Sequence, residues 1–210
     1  MDKLINDLNS AFHKARIKGV PITHPSIPIL FFGDLAKYRN SDLKVITVGL
    51  NPSHIEFPTH SRFTRFLDAE SLDTSKKWSG PEVTTYLHSL SEYFKHNPYS
   101  WFDSFESILN GMHTSYYPNI EHNTALHTDL CSPFSTDITW SKLSVRYRNV
   151  LRSDGISIWH RLTARASFSF FPSALIVTLM PSASGKGKMK VENNNKNIVN
   201  LTIFFIFTGN

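Results

Sequence analysis

The feature that most limits how this chain can fold is the apolar run ALIVTL at residues 174–179. A continuous run that is rich in β-branched residues and bounded by turn-forming residues is expected where both faces of a strand are covered, as in a parallel sheet. A shorter apolar run at residues 45–48 and a short predicted strand at residues 125–130 also end in polar residues, and helical patterns lie between these segments. The sequence therefore predicts an α/β fold, arranged as a three-layer α/β/α sandwich with a mainly parallel central sheet.

The segments around these strands have patterns of their own. Apolar residues recur at helical spacing over residues 2–17, and prolines alternate with apolar residues over residues 21–32. These patterns predict an N-terminal helix followed by an extended segment that lies across the core. The polar stretch at residues 60–81 is predicted to be a long connection. Further helices are predicted over residues 83–94, 101–109, 140–151 and 156–165, and a last strand over residues 198–207.

The length of 210 residues suits one domain with a continuous core. We predict an N-terminal helix and extended arm in residues 1–40, and a core that carries the functional residues in residues 41–190. A C-terminal loop and strand are predicted in residues 191–210.

Composition restricts the environment and the partners of the chain. The net charge of +5 and the pI of about 9.3 favour a polyanionic partner such as nucleic acid, because Lys and Arg gain affinity by displacing counterions from phosphates. The single cysteine, Cys131, excludes an internal disulfide, a cysteine-ligated zinc site and a four-cysteine iron–sulfur cluster within one chain. No signal peptide is recognised, and the longest apolar stretch, residues 198–207, is about half the length of a bilayer span. We predict a cytoplasmic monomer with no membrane segment, no metal and no other cofactor.

Polar, turn-forming residues follow three of the predicted strands. They are GLNPS at residues 49–53, HTD at residues 127–129 and MPSAS at residues 180–184. Because the ends of parallel strands meet at one edge of a sheet, we expect the three segments to form a single pocket.

Two of these segments resemble motifs of the uracil-DNA glycosylase superfamily. GLNPS is similar to the G-[IM]-N-P-G motif that follows the first core strand in the mismatch-specific, thymine-DNA and single-strand-selective branches. MPSAS is similar to the M-P-S-S-S motif of the thymine-DNA glycosylases. The resemblance spans residues 45–190 and implies a uracil-DNA glycosylase-like fold. It also implies a monofunctional DNA glycosylase, which flips a pyrimidine out of double- or single-stranded DNA and hydrolyses its N-glycosidic bond to leave an abasic site.

That reaction requires an extruded base, stabilisation of the departing negative charge and a water placed against C1′ of the sugar. The resemblance implies that Asn51 holds this water through its side-chain carbonyl. Glu56 is the nearby carboxylate that could act as the base instead, and the alternative for Asn51 is a purely structural cap of the Pro52 turn.

The remaining site residues follow from the same resemblance. Phe57 stands where relatives place an aromatic residue that stacks on the flipped base, with Phe63 as its substitute and a core position as the alternative. Pro181 and Ser182 would approach the DNA backbone, and Lys186 and Lys188 would hold phosphates or enter the duplex. The expected base-binding residues are Gly49, Leu50, Phe57, Phe63, His127, Thr128 and Asp129, and the expected DNA-binding residues are Ser53, Pro181, Ser182, Ser184, Lys186 and Lys188.

Asp129 departs from the family pattern. Uracil-reading relatives commonly carry Asn there, whose amide pairs with O4 and N3–H of uracil. An ionised Asp only accepts hydrogen bonds, so it suits the N4 amino group of cytosine and opposes O4 of uracil. We therefore predict a modified cytosine in foreign DNA as the substrate, as in superfamily members that defend bacteria against phage. The alternatives are a protonated Asp129 and a structural cap.

Other functions remain open on the same residues. A uracil or thymine-mismatch glycosylase of base-excision repair would use the same pocket. A non-catalytic DNA-binding module would use the arginines of residues 146–165 without chemistry, and a nucleoside hydrolase would act on free nucleosides. A zinc deaminase is rejected, since the His54–Glu56 pair lacks the two downstream cysteines that such enzymes require.

Overall fold

The computed structural model of the protein describes the backbone of residues 2–118, 123–163, 175–181, 190–192 and 202–207, and the side chains of residues 2–118 and 123–161. Within these ranges, helices alternate with the strands of a mainly parallel sheet. The mixed α/β fold that the strand pattern predicts is confirmed.

The helices form where the apolar spacing predicts them. Helix α1 buries Leu4, Ile5, Leu8 and Phe12 on one face, as an amphipathic helix does. Helix α3 begins with a capping box, in which the Ser79 side chain and the side chain of the residue three positions later cap each other's backbone N–H groups. The helices of the described chain are α1 (Asp2–Ile17), α2 (Leu35–Asn40), α3 (Gly80–Ser91), α4 (Asp103–Gly111) and α5 (Val145–Thr163).

The strands are β1 (Val45–Gly49), β2 (Thr114–Ser115), β3 (Asn123–Thr124), β4 (Leu126–Asp129), β5 (Leu175–Pro181), β6 (Lys190–Glu192) and β7 (Thr202–Phe207). Five of them form a sheet in the order β4-β1-β5-β7-β6, in which only β6 runs antiparallel to its neighbour. Strands β2 and β3 form a separate parallel pair.

The order of the strands makes β1 the topological switch point of the sheet, where the next strands are added on opposite sides. The chain passes from β1 to β4 on one side and then crosses to β5 on the other. In open α/β sheets, ligands bind in the crevice at the carboxyl ends of the strands beside such a point. The turn that follows Gly49 therefore lies where a ligand is expected to bind.

The N-terminal arm covers the outer edge of β4. Phe32 and His127 exchange both of their backbone hydrogen bonds, with N–O distances of 2.8 and 3.1 Å, and Ile29 N donates to the Pro133 carbonyl at 2.7 Å. Because the arm supplies partners to backbone groups that an edge strand would expose, it completes the sheet on this side. The segment predicted to be extended over residues 21–32 therefore pairs with β4 at Phe32 and forms no strand of its own.

Helix α5 differs from the prediction. Two helices were expected over residues 140–151 and 156–165, but one helix runs from Val145 to Thr163. Gly155 lies within it, and a Cβ at this position would come within 2.2 Å of the Cys131 carbonyl oxygen. The glycine therefore permits close packing of α5 on the turn after β4, and it does not end the helix.

The other elements shift by a few residues. The helix predicted over residues 83–94 ends at Ser91 and is followed by a single 3₁₀ turn, and the helix predicted from residue 101 begins at Asp103 after another such turn. Strand β5 continues to Pro181, which was expected to lie in a turn, because it pairs with β7 as far as Phe207. No helix in the described ranges combines the length and apolar character required to cross a membrane.

Candidate active site

A cavity of about 570 Å³ opens at the carboxyl ends of β1 and β4, a volume typical of sites for small molecules. Two of the three segments predicted to form a pocket, at residues 49–53 and 127–129, contribute to its wall. Of the third, Pro181 ends β5 and the residues after it lie outside the described chain. Ser182, Ser184, Lys186 and Lys188 therefore stay predictions.

The register between the two strands sets the floor of the cavity. Thr47 pairs with His127, and Gly49 pairs with Asp129. Because side chains alternate across a strand, His127 and Asp129 share one face, and both line the cavity. A Cβ on Gly49 would lie 2.5 Å from Asp129 Oδ1 and 3.1 Å from His127 Nε2. The absence of a side chain at Gly49 therefore leaves room for both groups.

Asp129 is a buried acid with an unused oxygen. It is only 6% exposed, and its Oδ2 has no hydrogen-bond partner among the described residues. Oδ1 lies 3.8 Å from His127 Nε2. Burial raises the pKa of Asp129, and the nearby His127 offsets this only in part. The raised pKa brings Asp129 closer to the protonated form than an exposed carboxyl, and the protonated form is one of the alternatives to the ionised Asp129 on which the cytosine prediction depends.

His127 is held from behind by hydroxyl groups. Its Nδ1 lies 2.7 Å from Thr47 Oγ1, which in turn contacts the Tyr116 hydroxyl. These contacts fix the imidazole ring and leave Nε2 directed towards Asp129. Thr128, by contrast, donates its hydroxyl to the Leu30 carbonyl at 2.9 Å and does not line the cavity, so its side chain holds the arm on β4.

Asn51 lines the cavity, and the contacts of its side-chain nitrogen fix the orientation of its amide. Its side-chain nitrogen donates to the carbonyl oxygens of Pro52 and Phe134, at 3.1 and 3.4 Å, and to Thr136 Oγ1 at 3.0 Å. Since backbone carbonyls only accept hydrogen bonds, these contacts identify the NH₂ group of the amide. Oδ1 accepts no hydrogen bond from the described residues, and Asn51 lines the cavity. The amide therefore stabilises the turn and also offers a free acceptor.

Glu56 is the second buried acid of the cavity wall. It is 2% exposed, accepts a hydrogen bond from the Tyr93 hydroxyl, and lies 3.8 Å from Arg65 Nε. Burial raises the pKa of Glu56 to about 7, with a smaller contribution from Asp129, while Tyr93 and Arg65 oppose the rise. A carboxyl with this pKa exchanges protons near neutral pH, as a general acid or base must.

The two phenylalanines expected to stack on a base lie elsewhere. Phe57 is 1% exposed and stacks on Phe66 at 5.2 Å, and Phe63 packs edge-on against Phe57 at 5.9 Å. Neither lines the cavity. The core alternative stated for Phe57 therefore describes its position.

A different set of aromatic residues forms the apolar wall. Trp101 is 39% exposed and packs against His127 and Phe105, at 5.6 and 4.6 Å between ring centroids. The sequence predicted a helix from residue 101 and no site residue there, and only the density of aromatic residues could have indicated this wall. The aromatic residues that line the cavity are Phe32, Tyr99, Trp101, Phe102, Phe105 and Trp140.

Two further predicted residues lie in the turn after β1. Leu50 lines the cavity, and its carbonyl accepts the N–H groups of Cys131 and Ser132. Ser53 also lines it, but its hydroxyl caps the following 3₁₀ turn by accepting from Ile55 N at 3.2 Å.

In the part of the chain described, no cluster of three or more His, Cys, Asp and Glu side chains could hold a metal ion.

Comparison of the chain with protein-family models, with curated proteins and with solved structures finds no match in any of the three. The resemblance to the uracil-DNA glycosylase superfamily therefore rests on the sequence motifs.

Proposed function

We propose that the protein is a monofunctional DNA glycosylase with a uracil-DNA glycosylase-like three-layer fold, which hydrolyses the N-glycosidic bond of a flipped pyrimidine. The observation that carries the proposal is that one cavity is lined by Asn51, whose side-chain oxygen accepts no hydrogen bond from the described residues, and by Asp129, whose Oδ2 has no partner among them. One group can hold a water and the other can bind the edge of a base. Both follow parallel strands whose ends meet at this edge.

The reaction makes few demands on the protein. As the bond between C1′ and the base breaks, positive charge develops on the sugar, and a water must stand against C1′. Asn51 Oδ1 accepts a hydrogen bond from this water and orients it. An amide is neutral, so it positions the water well and takes no proton from it.

The base would lie against the aromatic wall with its polar edge on Asp129. Trp101 offers an exposed ring face for stacking, an interaction that contributes about 1–3 kcal/mol per base. Because a protonated carboxyl carries one donor and one acceptor, Asp129 can pair with N3–H and O4 of uracil and also with N3 and the N4 amino group of cytosine. The substrate class is therefore a pyrimidine, with modified cytosine in foreign DNA and uracil in repair as the two to be compared.

The exposed arginines of α5 are the proposed contacts for the DNA backbone. Trp140 lines the cavity just before α5, and α5 carries the exposed side chains of Arg146 and Arg152. Cations at these positions can neutralise phosphates on either side of a flipped nucleotide. We also propose that the protein acts on DNA as a monomer in the cytoplasm.

The test uses labelled duplexes and single strands that carry uracil, a thymine mismatch or modified cytosines, followed by alkaline cleavage of abasic sites. We expect an alkali-labile product from at least one substrate and its loss in Asn51→Ala. Intact DNA in every case, together with DNA binding that Asn51→Ala leaves unchanged, would overturn the enzyme proposal in favour of a non-catalytic binding module.

A nucleoside hydrolase is the second candidate. Among the described residues that line the cavity, none is Lys or Arg, so a free nucleoside without a phosphate also fits it. Release of base from free nucleosides, with no abasic sites in DNA, would favour this function.

A further inference from the structure

The cavity contains one buried acid that binding of the base and the water does not employ. Glu56 lines the wall a few residues after Asn51, and its carboxyl is enclosed by Tyr93 and Arg65. We infer that Glu56 is the proton acceptor of the hydrolysis, and that Tyr93 and Arg65 are positioning residues that set the pH at which it works. This inference rests on the proposed glycosylase activity.

The balance of the reaction requires such a group. Water forms a bond from its oxygen to C1′, and the electron pair of the broken bond leaves with the base nitrogen. The oxygen of the attacking water must then lose a proton, and the nitrogen of the departing base must gain one. Asn51 cannot take a proton. A carboxylate at Glu56 can take it from the water and, once protonated, return it to solvent or to the base.

Tyr93 fixes which oxygen of Glu56 remains open. The Tyr93 oxygen accepts a hydrogen bond from Tyr99 N at 3.0 Å, so its single proton is donated to Glu56 Oε2. No described residue donates to Oε1. Oε1 is therefore the oxygen that can receive a proton from the cavity. The backbone of Tyr99 ties this arrangement to the cavity wall, since Tyr99 itself lines it.

Arg65 supplies a charge rather than a hydrogen bond. Its Nε lies 3.8 Å from Glu56 Oε2, beyond hydrogen-bonding distance, and both Nε and Nη1 are buried without a hydrogen-bond partner among the described residues. Its guanidinium lies over the Tyr99 ring at 5.9 Å. A buried cation in this state is costly unless an anion forms beside it. Ionised Glu56 is that anion.

The groups that face Glu56 act in opposite directions. Arg65, from the connection before α3, and Tyr93, from the turn after α3, both lower the pKa of Glu56. Burial, the largest effect, raises it, and Asp129 on β4 raises it further, to about 7. The opposing contributions leave the carboxyl ready to accept a proton near neutral pH.

The decisive measurement is the pH profile of the single-turnover rate of base release. The wild-type rate should rise with pH as Glu56 ionises, and Glu56→Gln should be slower by about 100-fold or more, with no such rise. Arg65→Met should move the rising limb to higher pH by about one pH unit, because it removes an opposite charge. Tyr93→Phe should move it in the same direction.

Two further variants separate this role from general damage. Asp129→Asn should move the limb to lower pH, opposite to Arg65→Met, because it removes a neighbouring acid. Lys77→Met removes an exposed positive charge from the same connection as Arg65 and should leave the limb in place. If Arg65→Met fails to fold, the downward shift in Asp129→Asn still decides the matter. A limb that persists in Glu56→Gln, or that no variant moves, overturns the inference.

Titration of Glu56 without substrate separates the inference from the proposed function. Carbon-13 NMR of selectively labelled glutamate carboxyls should show a pKa near 7 that rises in Arg65→Met. Base release with a flat pH profile leaves the glycosylase standing and overturns the role of Glu56. The expected titration with no product from any DNA overturns the glycosylase, and the proton-holding arrangement of Glu56, Tyr93 and Arg65 stands.

Discussion

Gly49 and Asp129 face each other across β1 and β4, and the carboxyl of Asp129 occupies the space that a side chain on Gly49 would fill. The two residues are eighty positions apart in the chain, so only the parallel pairing brings them together. A buried acid at the floor of the cavity therefore depends on a glycine in the neighbouring strand.

Gly49→Ala tests this dependence. Its methyl group would lie 2.5 Å from Asp129 Oδ1 and must displace it, so we expect loss of base release and destabilisation by about 1–3 kcal/mol, the usual cost of overpacking. Gly111→Ala is the matched control, because a Cβ there meets nothing within 4 Å. Denaturant unfolding and the abasic-site assay measure both effects. Normal activity in Gly49→Ala would contradict a role for the Asp129 position.

Trp101→Ala tests the aromatic wall. Loss of a stacking face should weaken binding of a pyrimidine base or substrate DNA by about tenfold or more. Val145→Ala, at an exposed apolar residue at the start of α5, is the control and should bind normally. Binding to the wild-type protein should also quench tryptophan fluorescence, and this quenching should shrink in Trp101→Ala. Equal affinity in the two proteins would show that the base does not stack on Trp101.

Asp129→Asn tests how the base is read. An ionised Asp129 opposes O4 of uracil, whereas Asn offers a donor at every pH. We therefore expect the variant to shift preference towards uracil over cytosine, and the shift to grow as the pH rises through the pKa of the wild-type acid, which burial raises. The ratio of single-turnover rates on the two bases is the measurement. An unchanged ratio would remove Asp129 from base recognition.

Glu56→Gln tests the buried acid through stability. Because the native pKa of about 7 exceeds the ordinary value of 4.5, the folded protein binds this proton more tightly than the unfolded chain. The resulting stability is fully present below about pH 4.5 and is lost as the pH rises through about 7, a change on the order of 3 kcal/mol. Glu56→Gln should lack this loss.

Unfolding free energies of wild type and Glu56→Gln at about pH 5 and about pH 8 measure the effect. The variant should gain stability relative to the wild type at the higher pH. Glu70→Gln, at an exposed position, should parallel the wild type. Parallel behaviour of Glu56→Gln would mean that Glu56 titrates normally.

Local signals in the sequence were sufficient for α1 and for the central strands of the sheet. Apolar periodicity predicted α1, β-branched runs predicted β1 and β5, and β4 was predicted as a short strand, because burial of one face or of both leaves a repeating pattern in the chain. The position of Asn51, after β1 and beside β4, followed from the rule that the ends of parallel strands meet. The alternating prolines of residues 21–32 also predicted the arm that lies beside β4.

The sequence did not predict features that depend on contacts between residues far apart in the chain. Gly155 has the appearance of a helix break in the sequence, yet it lies inside α5 because Cys131 requires the space. Phe57 and Trp101 are both aromatic residues beside polar turns, but Trp101 packs on His127 at the cavity, whereas Phe57 packs on Phe66 in the core.

The sequence by itself determined an α/β chain with a mainly parallel sheet and an asparagine at the end of its first strand, because those follow from patterns among neighbouring residues. Tertiary structure decided which aromatic residues line the cavity, and the environments of Asp129 and Glu56. The reason is that a pKa depends on burial and on neighbouring charges, and both are set by folding rather than by the order of residues.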